Sequence, residues 1–178
     1  DDTGSRGLGD VYKRQGRNMQ NDVTDAVNWA IDQGIADKDR VCIYGASYGG
    51  YAVMAGITFT PDMYKCAVNY VGVTDLELLW ETMPPQWEIF EEQQKVDIGD
   101  PEKDKELLKA RSPLNFVDRI KTPLYIVHGV RDWRVDIEHA RKLRRELEKV
   151  GKKEGEDYYW MVTVSYTHLT LPTKDGVL

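Results

Sequence analysis

The sequence contains little cysteine or histidine and no excess of positive charge. Among 178 residues there are two cysteines, three histidines, and 24 Lys and Arg against 30 Asp and Glu, a formal net charge of −6. Two cysteines are too few for a disulfide framework, so Cys42 and Cys66, each in an apolar run, are expected to be buried thiols. The negative balance argues against a nucleic-acid partner, and the apolar runs are too short to span a membrane. The composition is that of one ordinary globular domain.

Both ends of the chain read as translated DNA adaptor. GATGTGTATAAGAGACAG encodes Asp10 to Gln15, and its reverse complement, read from the third base, encodes Val164 to His168. Opposite strands of one element, the transposase adaptor of sequencing libraries, therefore account for both ends. Neither end shows helical or strand periodicity. We expect residues 1–15 and 163–178 to be adaptor translation without a fold, and residues 16–162 to be the authentic stretch.

Strand-like and helix-like segments alternate along the authentic stretch. Apolar runs typical of buried strands lie at 41–44, 66–73, 124–129 and 158–162. Apolar spacing and charge patterns predict helices at about 21–34, 51–58, 103–110 and 137–150. Because such alternation builds parallel sheets, the predicted fold class is α/β, a mostly parallel sheet with helices on both faces.

A Gly-x-Ser-x-Gly motif connects the first predicted strand to the helix after it. Its members are Gly45, Ser47 and Gly49. In the nucleophile elbow that this pattern describes, a sharp turn lifts the serine oxygen clear of the sheet. We expect glycine on both sides because a Cβ would collide in so tight a turn. A phosphate-binding loop is the alternative, but neither a Walker lysine nor a G-x-G-x-x-G pattern follows. The motif therefore favours Ser47 as a nucleophile.

A nucleophilic serine needs a base that an acid orients, in the chain order Ser, Asp, His for this type of fold. Asp132 follows the predicted strand at 124–129, which places it at the carboxyl end of the sheet, where such sites lie. It is the candidate acid. His128 is expected to pack beside the Asp132 loop, and His139, among charged residues on a helix, is expected to be solvated.

An aromatic and proline-rich insert follows the second predicted strand. It contains Trp80, Trp87 and the turn Met83-Pro84-Pro85. These side chains suit a pocket lining and plain packing equally well, and the sequence leaves both open.

Three segments together resemble the catalytic domain of the prolyl oligopeptidase family of serine peptidases, nearest its acylaminoacyl-peptidase and dipeptidyl-peptidase-like members. The segments are GASYGGYA, SPLNFVDRIKTPLYIVHG and HGVRDWRV. The resemblance implies that residues 16–162 form the C-terminal part of an α/β-hydrolase domain. It also implies a hydrolase that cleaves small peptides through an acyl-enzyme, without a metal or organic cofactor.

The resemblance also implies residue roles. Ser47 would be the nucleophile, Asp132 the triad acid, and the Tyr48 backbone N–H an oxyanion donor. Arg134 matches a position that reaches a substrate carbonyl. Val135 matches a wall of the pocket for the residue before the cleaved bond. The expected partner is a peptide substrate, with neither nucleic acid nor membrane involved.

Several parts that the resemblance implies are missing from the sequence. The triad histidine is expected after the strand that begins at Tyr158, where adaptor sequence stands, and His168 falls near that distance by accident. The second oxyanion donor, the first strands and any β-propeller would precede residue 16. The chain as written is therefore predicted to be inert. A carboxylesterase-like α/β-hydrolase and a non-catalytic fragment remain the alternatives.

Overall fold

Four parallel strands form the sheet of this protein, whose computed structural model describes residues 18–164. The predictions for residues 1–15 and 165–178, including that for His168, lie outside the described residues. The strands lie side by side in chain order as β1 (Cys42–Ala46), β2 (Cys66–Tyr70), β3 (Leu124–Gly129) and β4 (Tyr158–Thr163). Strand β4 runs one residue past the predicted boundary at 162. It continues to pair there, since Val130 N–H donates to the Thr163 carbonyl at 2.8 Å.

Helices connect the strands. They are α1 (Asn18–Asp32), α2 (Tyr48–Phe59), α3 (Leu76–Glu81), α4 (Glu91–Asp97), α5 (Lys105–Arg111) and α6 (Glu138–Lys149), with 3₁₀ helices at Pro85–Phe90 and Pro113–Arg119. The predicted alternation of strands and helices is confirmed. Strand β2 ends earlier than predicted, because Val71 adopts a left-handed φ of 44° that no strand accommodates. Within residues 18–164 no helix is long and apolar enough to cross a membrane.

The main core lies between one face of the sheet and helices α2 and α6. Leu124, Ile126 and Tyr158 point from the sheet into it and are almost completely buried. Helix α6 contributes the apolar stripe Leu143 and Leu147, and its other face carries ion pairs. Burying such a stripe is what fixes an amphipathic helix on a sheet.

The other face of the sheet is open within residues 18–164. Tyr44 is 69% exposed and Tyr159 is 52% exposed. The described helices pack on one face only, so the expectation of helices on both faces is met for that face alone.

A disulfide joins Cys42 to Cys66, so the expectation of two buried thiols is wrong. The two residues are register partners in neighbouring strands β1 and β2, with their Cα atoms 4.7 Å apart. Partners in a parallel ladder point to the same face of the sheet, which brings their Cβ atoms together. Here that face is the open one, and Cys42 is exposed.

Reduction of this disulfide should lower the free energy of unfolding. The link closes a loop with a sequence separation of 24. A loop of this size is worth about 3 kcal/mol through the entropy of the unfolded chain. Urea unfolding with and without a phosphine reductant measures the loss. The double variant Cys42→Ser, Cys66→Ser is the control and should not respond to reductant. An unchanged midpoint in the unsubstituted chain would contradict the link.

Candidate active site

Ser47 stands alone between β1 and α2 in a conformation that L-residues rarely adopt. Its φ of 55° and ψ of −119° turn the chain sharply from strand into helix. The backbone is held on both sides. Ser47 N–H donates to the Tyr70 carbonyl at 3.0 Å, and the Ser47 carbonyl accepts from Tyr51 N–H at 3.1 Å. The side chain is exposed and takes no part in capping α2. The fold thus fixes the Ser47 backbone and presents its hydroxyl outward.

The glycines around Ser47 differ in how much space a side chain would find at each position. A Cβ on Gly45 would strike the Gly49 carbonyl, as expected for an elbow. A Cβ on Gly49 would meet no atom within 4 Å, so the expected collision there is wrong. The second tight position is Gly50, where a Cβ would lie 2.5 Å from Gly72 Cα. A second close approach, beside that of β1 and α2, therefore lies between α2 and the chain after β2.

A small apolar cavity of about 130 Å³ opens beside Ser47. It is lined by Ser47, Tyr48, Tyr51, Val73, Leu76, Leu79, Trp87, Ile98 and Val135. Tyr51 donates its hydroxyl to the Arg111 carbonyl at 3.0 Å, and burial raises its pKa, so this wall is uncharged near neutral pH. The sequence did not distinguish pocket lining from plain packing for Trp80 and Trp87. In the structure Trp87 lines the cavity, and Trp80 packs against a buried apolar cluster that includes Leu76 and Leu79.

Asp132 lies in the turn that follows β3. Its carboxylate Oδ1 accepts from the N–H groups of Arg134 at 2.9 Å and Val135 at 3.0 Å. Its own N–H donates to the Gly129 carbonyl at 3.1 Å. Val135 is 3% exposed and forms part of the cavity wall, and Arg134 places its guanidinium 5.0 Å from the centre of the Trp133 ring. The carboxylate thus ties the Asp132 turn to the cavity wall.

His128 packs beneath this turn, which confirms the sequence expectation. It is 1% exposed, and its Nε2 lies 2.9 Å from the Val135 carbonyl. A carbonyl accepts only, so Nε2 carries the proton and donates it. Burial lowers the pKa of His128, which keeps the ring neutral.

His139 is completely buried, so the expectation that it is solvated is wrong. Its Nδ1 accepts from Thr74 N–H at 3.3 Å, and burial lowers its pKa to about 4. The sequence spacing indicates this burial, because His139 stands four residues before Leu143 and eight before Leu147 and so shares the buried stripe of α6. The charged neighbours on either side conceal that spacing.

The polar side chains near the elbow do not cluster as metal ligands do in the part of the chain that the structure describes. Over the stretch 18–164, no group of three or more His, Cys, Asp or Glu side chains is arranged to hold a metal ion. The chemistry available from the described residues is that of a hydroxyl, a carboxylate and backbone N–H groups.

Stability should fall with decreasing pH because of His139. Its pKa of about 4 in the fold lies below the ordinary value of 6.5, so the unfolded chain binds more protons below pH 6.5. Between pH 7 and pH 5 this contributes a loss of about 2 kcal/mol in unfolding free energy. Urea unfolding at the two pH values measures it. In His139→Asn the loss should shrink by that amount, and an identical pH dependence in both proteins would contradict the assignment.

Comparison with known proteins identifies a family. A sequence model of the prolyl oligopeptidase family matches residues 1–175, a range that includes all of the first predicted adaptor segment and most of the second. The dipeptidyl aminopeptidase BIII of Pseudoxanthomonas mexicana is 45% identical over 139 residues, which cover 74% of this chain and 20% of that protein. Dipeptidyl peptidase family member 6 of Caenorhabditis elegans is 38% identical over 138 residues, covering 75% of this chain and 18% of that protein.

A solved structure of a puromycin-hydrolyzing peptidase of Mycobacterium tuberculosis shares the architecture. It superimposes with a TM-score of 0.76 at 28% identity, over 86% of this chain and 22% of that one. This similarity confirms the partial α/β-hydrolase fold. The chain spans about a fifth of the length of the relatives it matches.

Proposed function

Because the chain belongs to the prolyl oligopeptidase family, we propose that it is the nucleophile-bearing part of a serine peptidase that cleaves small peptides through an acyl-enzyme. The observation that carries this proposal is Ser47, held in a strained turn with its hydroxyl exposed beside an apolar cavity. Strained backbone costs free energy and clusters at functional sites, where the surrounding structure holds it in place.

The proposed chemistry begins with attack of Ser47 Oγ on the scissile carbonyl. A histidine takes the hydroxyl proton, and Asp132 holds that ring in the correct tautomer. The carbonyl oxygen becomes an oxyanion and accepts from the Tyr48 N–H. That N–H suits the role because Tyr48 follows Ser47 directly and is the first residue of α2, and the N-terminus of a helix favours negative charge. As the tetrahedral intermediate collapses, the histidine gives the proton it took from Ser47 to the leaving nitrogen, and the C–N bond breaks. The histidine then takes a proton from water as the water attacks the acyl-enzyme, and it returns that proton to Ser47 Oγ when the acid product leaves.

We infer that the triad histidine belongs after β4, beyond the described residues. His128 donates to the Val135 carbonyl and His139 accepts from Thr74 N–H. Both rings are almost completely buried, whereas Ser47 is exposed, so we assign the triad role to neither. The residues after β4 read as adaptor translation. On this proposal the chain as written is inert, whereas the uninterrupted full-length protein is active.

The cavity supports a preference for apolar side chains on the acyl side of the cleaved bond. Val135, Leu76 and Trp87 contribute apolar walls, and Ser47 lies at the edge. A substrate residue whose carbonyl is attacked by Ser47 would extend its side chain into this space. Burial of an apolar side chain there contributes about 1.5–3 kcal/mol, whereas a charged one would lose its hydration without a partner.

Loss of Ser47 should abolish turnover in the full-length protein. Ser47→Ala should reduce kcat by about 10⁴ to 10⁶, and Asp132→Asn by about 10⁴ because it favours the wrong histidine tautomer. Hydrolysis of peptide p-nitroanilides measures both. Asp118→Asn, which changes an exposed carboxylate elsewhere, is the matched control and should retain activity. Near-normal turnover in Ser47→Ala would remove the assignment, and cleavage of esters but not peptides would favour the carboxylesterase alternative.

Arg134 should act on substrate binding more than on chemistry. A guanidinium donates to a carbonyl but exchanges no proton near pH 7. Arg134→Ala should raise KM for peptides about tenfold, the effect of one lost charged hydrogen bond, and leave small activated esters nearly unaffected. Arg131→Ala, an exposed arginine of the same loop, is the control. Equal losses on peptides and esters would instead make Arg134 a support for the Asp132 turn.

A further inference from the structure

One wall of the cavity is a short segment held in an unfavourable backbone conformation. Val71, the residue after β2, has a φ of 44°, which is a rare conformation for a β-branched residue. Gly72 is pressed against Gly50 of α2. Val73 and Leu76 then line the cavity. A strained segment keeps its shape only when its surroundings hold it there.

Helix α6 holds this segment through His139. Thr74 N–H donates to His139 Nδ1 at 3.3 Å, and the Thr74 hydroxyl donates to the His139 carbonyl at 3.0 Å. Both residues are 0% exposed. Since Thr74 lies between the two lining residues Val73 and Leu76, these bonds fix the position of the wall.

The next turn of α6 adds a second link. Lys142 Nζ lies 3.2 Å from Asp75 Oδ2, and the other oxygen of Asp75 accepts from Glu77 N–H at 3.0 Å to cap α3. His139 and Lys142, three residues apart, therefore contact consecutive residues of the wall segment. The paired spacing shows that one face of α6 is fitted to this segment.

A second lining segment, which contains Val135, is attached to the same part of the fold. Val135 precedes α6 by three residues, and His128 and Asp132 fix its carbonyl and N–H. The start of α6 is thus linked to both lining segments, to one by hydrogen bonds from Thr74 and to the other by the chain itself. A shift of either wall relative to α6 would change the width of the cavity.

We propose that His139 is a positioning residue that sets the width of the acyl-side pocket through its two hydrogen bonds with Thr74, the acceptor bond at Nδ1 and the bond to its carbonyl. The proposal rests on the proposed function, because it names what limits the substrate of that site. Without the acceptor, the Thr74 N–H is buried and unpaired, which costs free energy. A movement of the segment that lets this N–H find another partner would also relax the strained backbone at Val71. The pocket then loses its fit to a branched side chain, whereas the serine chemistry at the elbow is unchanged.

The test compares three substitutions in the full-length protein. His139→Leu removes the acceptor, and His139→Asn keeps an oxygen close to the position of Nδ1. Arg141→Leu, an exposed residue of the same helix, is the matched control. A fluorophosphonate titrates the fraction of reactive serine, so that kcat is expressed per active site. Peptide p-nitroanilides with leucine or glycine on the acyl side measure how well the pocket binds a branched side chain.

His139→Leu should raise KM for the leucine substrate about tenfold, as expected for one buried donor left unpaired, with kcat per active site on the glycine substrate changed less than about twofold. His139→Asn and Arg141→Leu should resemble the unsubstituted protein. If His139→Leu does not fold, Thr74→Val, which removes the bond to the His139 carbonyl, should shift KM in the same direction.

The outcomes separate the two proposals. A lower reactive fraction with unchanged KM values, or an equal rise for both substrates, would overturn the positioning role. If His139→Leu does not fold, an unchanged KM for the leucine substrate in Thr74→Val would also overturn the positioning role. Absence of fluorophosphonate labelling in the unsubstituted full-length protein would instead refute the proposed serine peptidase.

Discussion

The close approach of strand β1 and helix α2 at Ser47 is the constraint on which the site depends. The turn closes only because Gly45 has no side chain to strike the Gly49 carbonyl, and because Ser47 accepts a φ of 55°. Such a conformation costs about 1–3 kcal/mol and needs support from neighbours. That support comes from β2, whose Tyr70 carbonyl receives the Ser47 N–H. The register of β1 on β2 therefore determines where the hydroxyl points.

The same pair of strands is linked at its other end. The disulfide between Cys42 and Cys66 lies in register with the pairing of Ala46 with Tyr70. A slip of one residue would separate the sulfurs and remove the carbonyl that holds Ser47. Two buried, neutral histidines, His128 in β3 and His139 in α6, form hydrogen bonds with the segments that line the cavity.

Much of this arrangement could be predicted from the sequence, because it depends on local patterns. The alternation of apolar runs and helical spacing, the Gly-x-Ser-x-Gly motif and the position of Asp132 after a strand are all local signals. The disulfide was missed because it depends on strand register, which local patterns do not specify. His139 was misjudged because charged neighbours outweighed its spacing to Leu143. The tight contact at Gly50 comes from Gly72, a residue distant in sequence, so no local pattern reveals it.

The most direct test of the account is to locate the nucleophile in the full-length protein. Treatment with a fluorophosphonate, followed by proteolysis and mass spectrometry, identifies the modified residue. The account predicts one adduct per chain, on Ser47 in the peptide that contains GASYGG. An active protein that carries the adduct on another residue, or that remains unmodified at full inhibitor concentration, would contradict it.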